Sequence, residues 1–153
     1  MNKKNSIKKL SYRYISNSYL ETINHKSTKK FILFSKSGKK IKTKKDLALY
    51  IKNLSSNQYI FGIYDNKKHL ANFKITIKKQ VAEIGFLVFL KYRGKKLIYK
   101  NFKKIKNLNL LKKNKIKYLI LGVDKKNQRA IKLYKNLGFK FKRHSNTIMN
   151  YKL

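Results

Sequence analysis

Apolar positions along the chain change period several times, and each change marks an element. Leu10–Ile15 alternates as a strand, and Ser18–Asn24 reads as a short helix entering a polar, Lys- and Ser-rich loop that lasts to Ile41. Thr43 is placed to cap a helix, with Asp46 three residues on as its acidic partner. Leu47, Leu49, Tyr50 and Leu54 continue that helix. Tyr59–Tyr64 and His69–Ile77 flank the turn-forming Asp65-Asn66-Lys67-Lys68 and predict a hairpin. Val81–Leu90 is a long, strongly apolar strand. Beyond Arg93-Gly94, Ile98, Phe102, Ile105 and Leu108 recur at helical spacing, and Tyr118–Val123 is a short strand. Asn127 can cap a last helix carrying Ala130, Ile131, Tyr134 and Leu137, and Gly138 supplies its left-handed stop. Phe139–Phe141 and Thr147–Leu153 close the chain as strands. The order βααβββαβαββ predicts an α+β, or mixed α/β, layer domain without an internal boundary.

Composition narrows the chemistry. The chain has 153 residues, 42% hydrophobic and 13% aromatic, enough for one real core. There is no Cys, which excludes disulfides, thiolate catalysis and Cys-based metal centres. Three scattered His and five isolated acids leave little for a catalytic metal site, and none is expected. The longest central apolar run, Ile84–Leu90, falls far short of the roughly 20 residues that span a bilayer, and the basic N-terminus has no apolar signal-peptide core. A soluble, cytoplasmic, single-domain protein without a membrane partner is the expectation.

Charge adds less than its size suggests. Lys and Arg number 41 against five acids, a formal net charge of +36. Such an excess favours nucleic-acid partners when basic residues cluster. Here Lys pairs recur along the whole chain, and enrichment in Lys, Asn, Ile and Tyr also fits an AT-rich genome. Weak, non-specific polyanion binding is expected under either reading.

Two segments carry candidate chemistry. In the first, a strand empties into Tyr92-Arg93-Gly94-Lys95-Lys96-Leu97-Ile98 and a helix start, where free backbone N–H groups and the helix dipole suit an anion. An ordinary strand-to-helix turn explains the same residues. In the second, Asn127 and Tyr134 lie seven residues apart and share a helix face, though a cap and a half-buried core residue also account for them.

Together, in this order and spacing, the segments resemble the GNAT N-acetyltransferase superfamily. Glu83-Ile84-Gly85-Phe86-Leu87-Val88 is similar to its central strand, and Arg93–Ile98 to its pyrophosphate loop of pattern Arg/Gln-x-x-Gly-x-Gly/Ala. Asn127…Ala130…Tyr134…Gly138-Phe139 resembles its second cofactor motif. The N-terminal half, with Tyr19-Leu20…Asn24, a variable loop and a helix over Asp46–Leu54, is similar to the branch acetylating ribosomal-protein N-termini and nucleotide-linked amino sugars. The resemblance implies a central, mostly antiparallel twisted sheet flanked by helices, with acetyl-coenzyme A as acyl donor and no metal.

It further implies a division of labour. Phe86, Val88 and Phe89 would meet the pantetheine arm, and Arg93, Gly94, Lys95, Lys96, Leu97 and Ile98 the pyrophosphate. Asn127 would bond near the thioester, and Tyr134 would protonate the leaving thiolate, as a phenol of pKa about 10 can at neutral pH. Glu83 is the first candidate base, with Asn24 and His25 near a small-molecule amine acceptor. Lys96 and Ile98 stand where the family prefers Gly and Gly or Ala. The expected activity is acetyl transfer to an amine, leaning to a nucleotide-linked amino sugar or another small anionic amine. Alternatives are a protein N-terminus as acceptor, or a degenerate scaffold that binds nucleic acid.

Overall fold

In the computed structural model, described over residues 5–29 and 41–153, seven strands form a single sheet of order β1-β2-β3-β4-β5-β7-β6. The strands are β1 (Ser6–Lys9), β2 (Gln58–Asp65), β3 (Lys68–Lys78), β4 (Val81–Val88), β5 (Tyr118–Gly122), β6 (Lys140–Phe141) and β7 (Ile148–Lys152). Every neighbouring pair is antiparallel except β4 with β5. The mixed α/β class and the mostly antiparallel sheet agree with the sequence expectation.

Helices cover both faces. Helices α1 (Asn17–Asn24), α2 (Lys26–Lys29) and α3 (Lys44–Lys52) precede the central strands, while α4 (Leu97–Lys106), α5 (Asn109–Lys113) and α6 (Gln128–Asn136) follow β4. The larger core gathers Ile63, Phe73, Ile75 and Ile84 with Ile98, Phe102 and Ile105 of α4 and Ile131 of α6. The smaller core, on the other face, packs Tyr19 of α1 and Leu47 and Ile51 of α3 on Ile60 and Phe89.

Local chemistry sets the element ends. The Thr43 hydroxyl accepts from the Asp46 N–H at 3.1 Å, and an Asp46 carboxylate oxygen accepts from the Thr43 N–H at 2.8 Å, closing a reciprocal cap on α3. Gly138, at φ +97°, ends α6.

The N-terminal strand corrects the sequence reading. It runs over Ser6–Lys9 rather than Leu10–Ile15, and only the Leu10 N–H continues the ladder, reaching the Ile60 carbonyl at 2.8 Å. Ser11 then turns the chain away: its hydroxyl accepts from the Arg13 N–H, and its carbonyl accepts from the Tyr14 N–H. Tyr14 is left 79% exposed, so an apolar alternation pointed to a strand where a local turn wins. Lys26–Lys29 forms α2 inside the expected loop; the rest of that loop, 30–40, lies outside the described residues. Leu108, expected on the α4 face, stands past its end and leads into α5.

Candidate active site

The parallel pair β4–β5 opens partway along. Register holds from Val81↔Tyr118 to Glu83↔Ile120 only. Beyond that point β5 stays with β7 as far as Gly122↔Ile148, and β4 stays with β3 as far as Val88↔Ala71. The two strands therefore diverge into a V. Backbone direction follows from the flanking bonds. The Gln80 carbonyl accepts from the Lys117 N–H on the β5 side, whereas the Phe89 N–H donates to the Leu70 carbonyl on the β3 side. Strand alternation then turns the backbone groups of Phe86 and Val88 into the V. The Val88 carbonyl accepts from Arg93 Nε at 3.4 Å.

Tyr134 of α6 stands at this opening. Its ring lies 6.1 Å from that of Phe86 and 6.1 Å from that of Phe139. Burial pushes its hydroxyl pKa up to about 12, because the phenolate would lose hydration. One helix end away, Asn127 caps α6, its side-chain oxygen accepting from the Ala130 N–H at 3.2 Å. Its side chain is only partly buried, and its amide nitrogen forms no hydrogen bond among the described residues.

Below the V, the loop before α4 takes two left-handed residues, Gly94 at φ +82° and Lys96 at φ +54°. The second explains why the Arg-x-x-Gly-x-Gly pattern favours Gly at Lys96, since a Cβ is strained in the left-handed region. No side chain caps α4, so its first N–H groups have no intrahelical partner. Ile98 is 2% exposed and packs into the larger core, away from the loop's open side. Lys95 is exposed, 5.5 Å from the Tyr92 ring centroid.

Arg93 has other partners. Its guanidinium donates to the Ser27 hydroxyl at 2.8 Å and the Thr28 hydroxyl at 2.6 Å, tying α2 to this loop. Arg129, which the motif spacing did not single out, covers the glycine: a Cβ on Gly94 would lie 3.3 Å from Arg129 Nη2. Partial burial and then the Arg129 charge lower the Arg93 pKa. Two guanidinium groups beside an uncapped helix start form a strongly positive corner. The available sequence signal for Arg129 was its place in the first turn of α6, two residues past Asn127.

Other predicted residues are dispersed. Phe89 is fully buried in the smaller core, its ring 5.6 Å from that of Tyr19, so it faces away from the V. Glu83 is exposed and pairs with Lys78 at 3.7 Å, on the sheet face opposite Phe86 by strand alternation. The Asn24 amide donates back to the Leu20 carbonyl at 3.0 Å, and exposed His25 contacts the Ser27 hydroxyl through Nδ1 at 2.7 Å. Lys74, Tyr50 and His69 also form bonded groups on the α1–α3 face, which no motif signalled. Among the described residues no cluster of three His, Asp or Glu is placed to hold a metal, and no helix is long and apolar enough to cross a membrane.

The family model described as an acetyltransferase (GNAT) domain matches residues 13–152, and the chain belongs to the GNAT acetyltransferases. It is therefore an acyl-coenzyme A-dependent N-acetyltransferase, with acetyl-coenzyme A as acyl donor. No curated protein sequence matches it. Many solved structures share the fold, among them three acetyltransferases. The N-acetyltransferase PseH of Campylobacter jejuni, in complex with acetyl coenzyme A, is 19% identical, with a TM-score of 0.63 over 97% of this chain and 98% of its own. The PaiA N-acetyltransferase of Thermoplasma acidophilum, in complex with coenzyme A, is 18% identical, with a TM-score of 0.71 over 98% and 99%. Spermidine N-acetyltransferase of Vibrio cholerae, in complex with CoA and spermine, is 16% identical, with a TM-score of 0.73 over 99% and 96%.

Proposed function

We propose that this protein acetylates a small anionic amine, and that the V between β4 and β5 receives the thioester arm of acetyl-coenzyme A. The observation that carries this reading is the open edge of β4 at Phe86 and Val88 beside the Tyr134 ring. The backbone groups of Phe86 and Val88 bond the pantetheine amides. Within the Arg93–Ile98 loop, the Arg93 N–H goes to the Leu90 carbonyl at 3.3 Å, and the N–H groups from Gly94 to Ile98 hold the pyrophosphate at the uncapped start of α4. The left-handed backbone at Lys96 and the inward side chain of Ile98 support this, since the two departures from the family pattern leave the N–H groups uncovered. Arg129 adds charge on the same side. Asn127 uses its amide nitrogen toward the thioester while its oxygen keeps the cap.

The amine nitrogen attacks the thioester carbonyl directly, and the carbon–sulfur bond breaks. Tyr134, held protonated by burial, gives its proton to the leaving sulfur. Glu83 accepts the amine's proton through water. Asn24 and His25 stand at the end of α1, which Thr22 joins to the end of β4 by accepting from the Leu90 N–H, and flank the acceptor's approach.

Calorimetry of acetyl-coenzyme A at physiological and high salt tests the reading, with ADP and a short RNA as polyanion controls. A saturable one-to-one complex that survives high salt and far exceeds ADP supports it. Binding no better than ADP, and lost with salt, sinks it.

A further inference from the structure

On the sheet face that carries α1 and α3, Gly85 leaves a gap in the side-chain row. A Cβ there would meet nothing within 4 Å, so β4 has open space between exposed Glu83 and half-buried Leu87. Gly85 stands opposite Lys74 in the β3–β4 register, and Glu83 opposite Thr76. Lys74 and Glu83 are therefore diagonal neighbours, about 7–8 Å apart on one face, with the gap beside both. This is also where β4 parts from β5.

The Lys74 ammonium is fixed. Nζ donates to the Tyr50 hydroxyl at 3.0 Å and lies 5.4 Å from the centroid of the same ring. Partial burial works against its charge, and the Glu83 carboxylate supports it. Among the described residues no carboxylate comes within ion-pair distance of Lys74, since Glu83 turns to Lys78. An ammonium has three donors, and the bond to Tyr50 uses one. A partly desolvated cation held this way, over open space and without an anion, is poised for a ligand's negative group.

We infer that Lys74, positioned by Tyr50, is the anion-recognition residue of the acceptor site, so that the acceptor carries a carboxylate or phosphate a few bonds from its amine. This rests on the acetyltransferase reading above. The acceptor's anion seats on Lys74, and its amine lies over Gly85 on the side of Glu83, at the mouth of the V. A polyamine fits poorly: it would bring several ammonium groups to a face where Glu83 is already paired with Lys78 and Lys74 adds a further positive charge.

Release of free thiol at fixed acetyl-coenzyme A provides the test, with matched acceptors. Glycine against glycinamide isolates a carboxylate, glucosamine 6-phosphate against glucosamine isolates a phosphate, and spermidine is the polycation. For at least one pair, kcat/KM for the anionic member should exceed its neutral counterpart roughly tenfold, the range of a charged hydrogen bond. Lys74→Met should bring that ratio close to one, Lys74→Arg should keep most of it, and Tyr50→Phe should lower it part of the way. Calorimetric acetyl-coenzyme A binding shows that each variant is folded; Tyr50→Phe carries the test if Lys74→Met is not. Ratios near one in the wild type, spermidine as the best acceptor, no turnover of any acceptor, or a ratio unmoved by Lys74→Met overturns the inference. Each of these with acetyl-coenzyme A still binding leaves the acetyltransferase reading standing; loss of acetyl-coenzyme A binding in the wild type overturns both.

Discussion

Arg93 Nη2 donates to the Thr28 hydroxyl at 2.6 Å across 65 positions of sequence. With the Ser27 bond, it fastens the short α2 helix to the loop that opens α4. The side chain that the family pattern assigns to the phosphate loop thus serves here as a brace, and the proposed reading gives the anion to the loop's N–H groups and to Arg129.

Two variants separate brace from ligand contact. Arg93→Ala removes the donor to Ser27, Thr28 and the Val88 carbonyl and should cost about 1–3 kcal/mol of stability, read from the urea midpoint. Among the described residues the Arg129 side chain makes no hydrogen bond that Arg129→Ala would remove. That variant should leave the midpoint nearly unchanged and weaken acetyl-coenzyme A roughly tenfold by calorimetry. Reversed effects would return Arg93 to the phosphate.

Tyr134→Phe keeps the ring contacts with Phe86 and Phe139 and deletes only the hydroxyl to which we assign proton donation. Turnover should fall roughly 100-fold with little change in acetyl-coenzyme A affinity. The pH profile adds a sign. Burial raises this pKa to about 12, so the neutral phenol is retained through the range where an ordinary tyrosine ionises. The alkaline limb of kcat below pH 10 should not come from Tyr134. The stability owed to the neutral form is intact below about 10 and lost only as pH climbs toward 12. A kcat that falls through pH 9–10 in the wild type but not in Tyr134→Phe would contradict this.

Gly62 and Gly85 should respond oppositely to alanine. A Cβ on Gly62 would sit 2.5 Å from Tyr64 Cε2 and 2.8 Å from His69 Nε2. The Tyr64 and His69 rings are stacked at 4.5 Å and cannot both give way. Gly62→Ala should therefore cost about 1–3 kcal/mol. Gly85→Ala meets open space and should be neutral or slightly stabilising, while raising KM for the acceptor. Thermal melts with acceptor titrations distinguish the two.

Local signals account for what the sequence made legible. Thr43 with Asp46, Asn127 before Ala130 and Gly138 at φ +97° each act within a few residues, and each terminates its helix as the pattern implies. The hairpin and the central strand were legible for the same reason. The divergence of β4 from β5 is not local. After their shared register ends at Glu83↔Ile120, each strand keeps only the partner on its other edge, β3 or β7, and no spacing within either strand marks that point. Phe89 shows the limit: its neighbour Val88 faces the V, but strand alternation and the Leu70 ladder bond turn Phe89 to the other core. Lys74 with Tyr50, and Arg93 with Thr28, join residues far apart in the chain and leave no spacing to find.

His69 gives the protein a specific acid sensitivity. Its Nε2 lies 2.6 Å from Asn72 Oδ1 and its Nδ1 3.2 Å from the Ser16 hydroxyl, which also caps α1 by accepting from the Tyr19 N–H. With the proton on Nε2, His69 donates to Asn72 Oδ1 and accepts from the Ser16 hydroxyl. Protonating Nδ1 would require the Ser16 hydroxyl to turn and accept instead of donate, and would place a charge where burial disfavours it. Burial accordingly lowers the His69 pKa from 6.5. A depressed histidine pKa supplies stability that is present above 6.5 and is lost as pH falls from there through the folded value, because the unfolded chain takes up the proton first. The wild-type melting temperature should drop between pH 7 and 5. His69→Gln, which can still donate to Asn72, should start lower but lose less over the same interval. The difference between the two slopes isolates this ring from exposed His25 and His144, and equal slopes would show that the folded protein takes up the His69 proton as readily as the unfolded chain does.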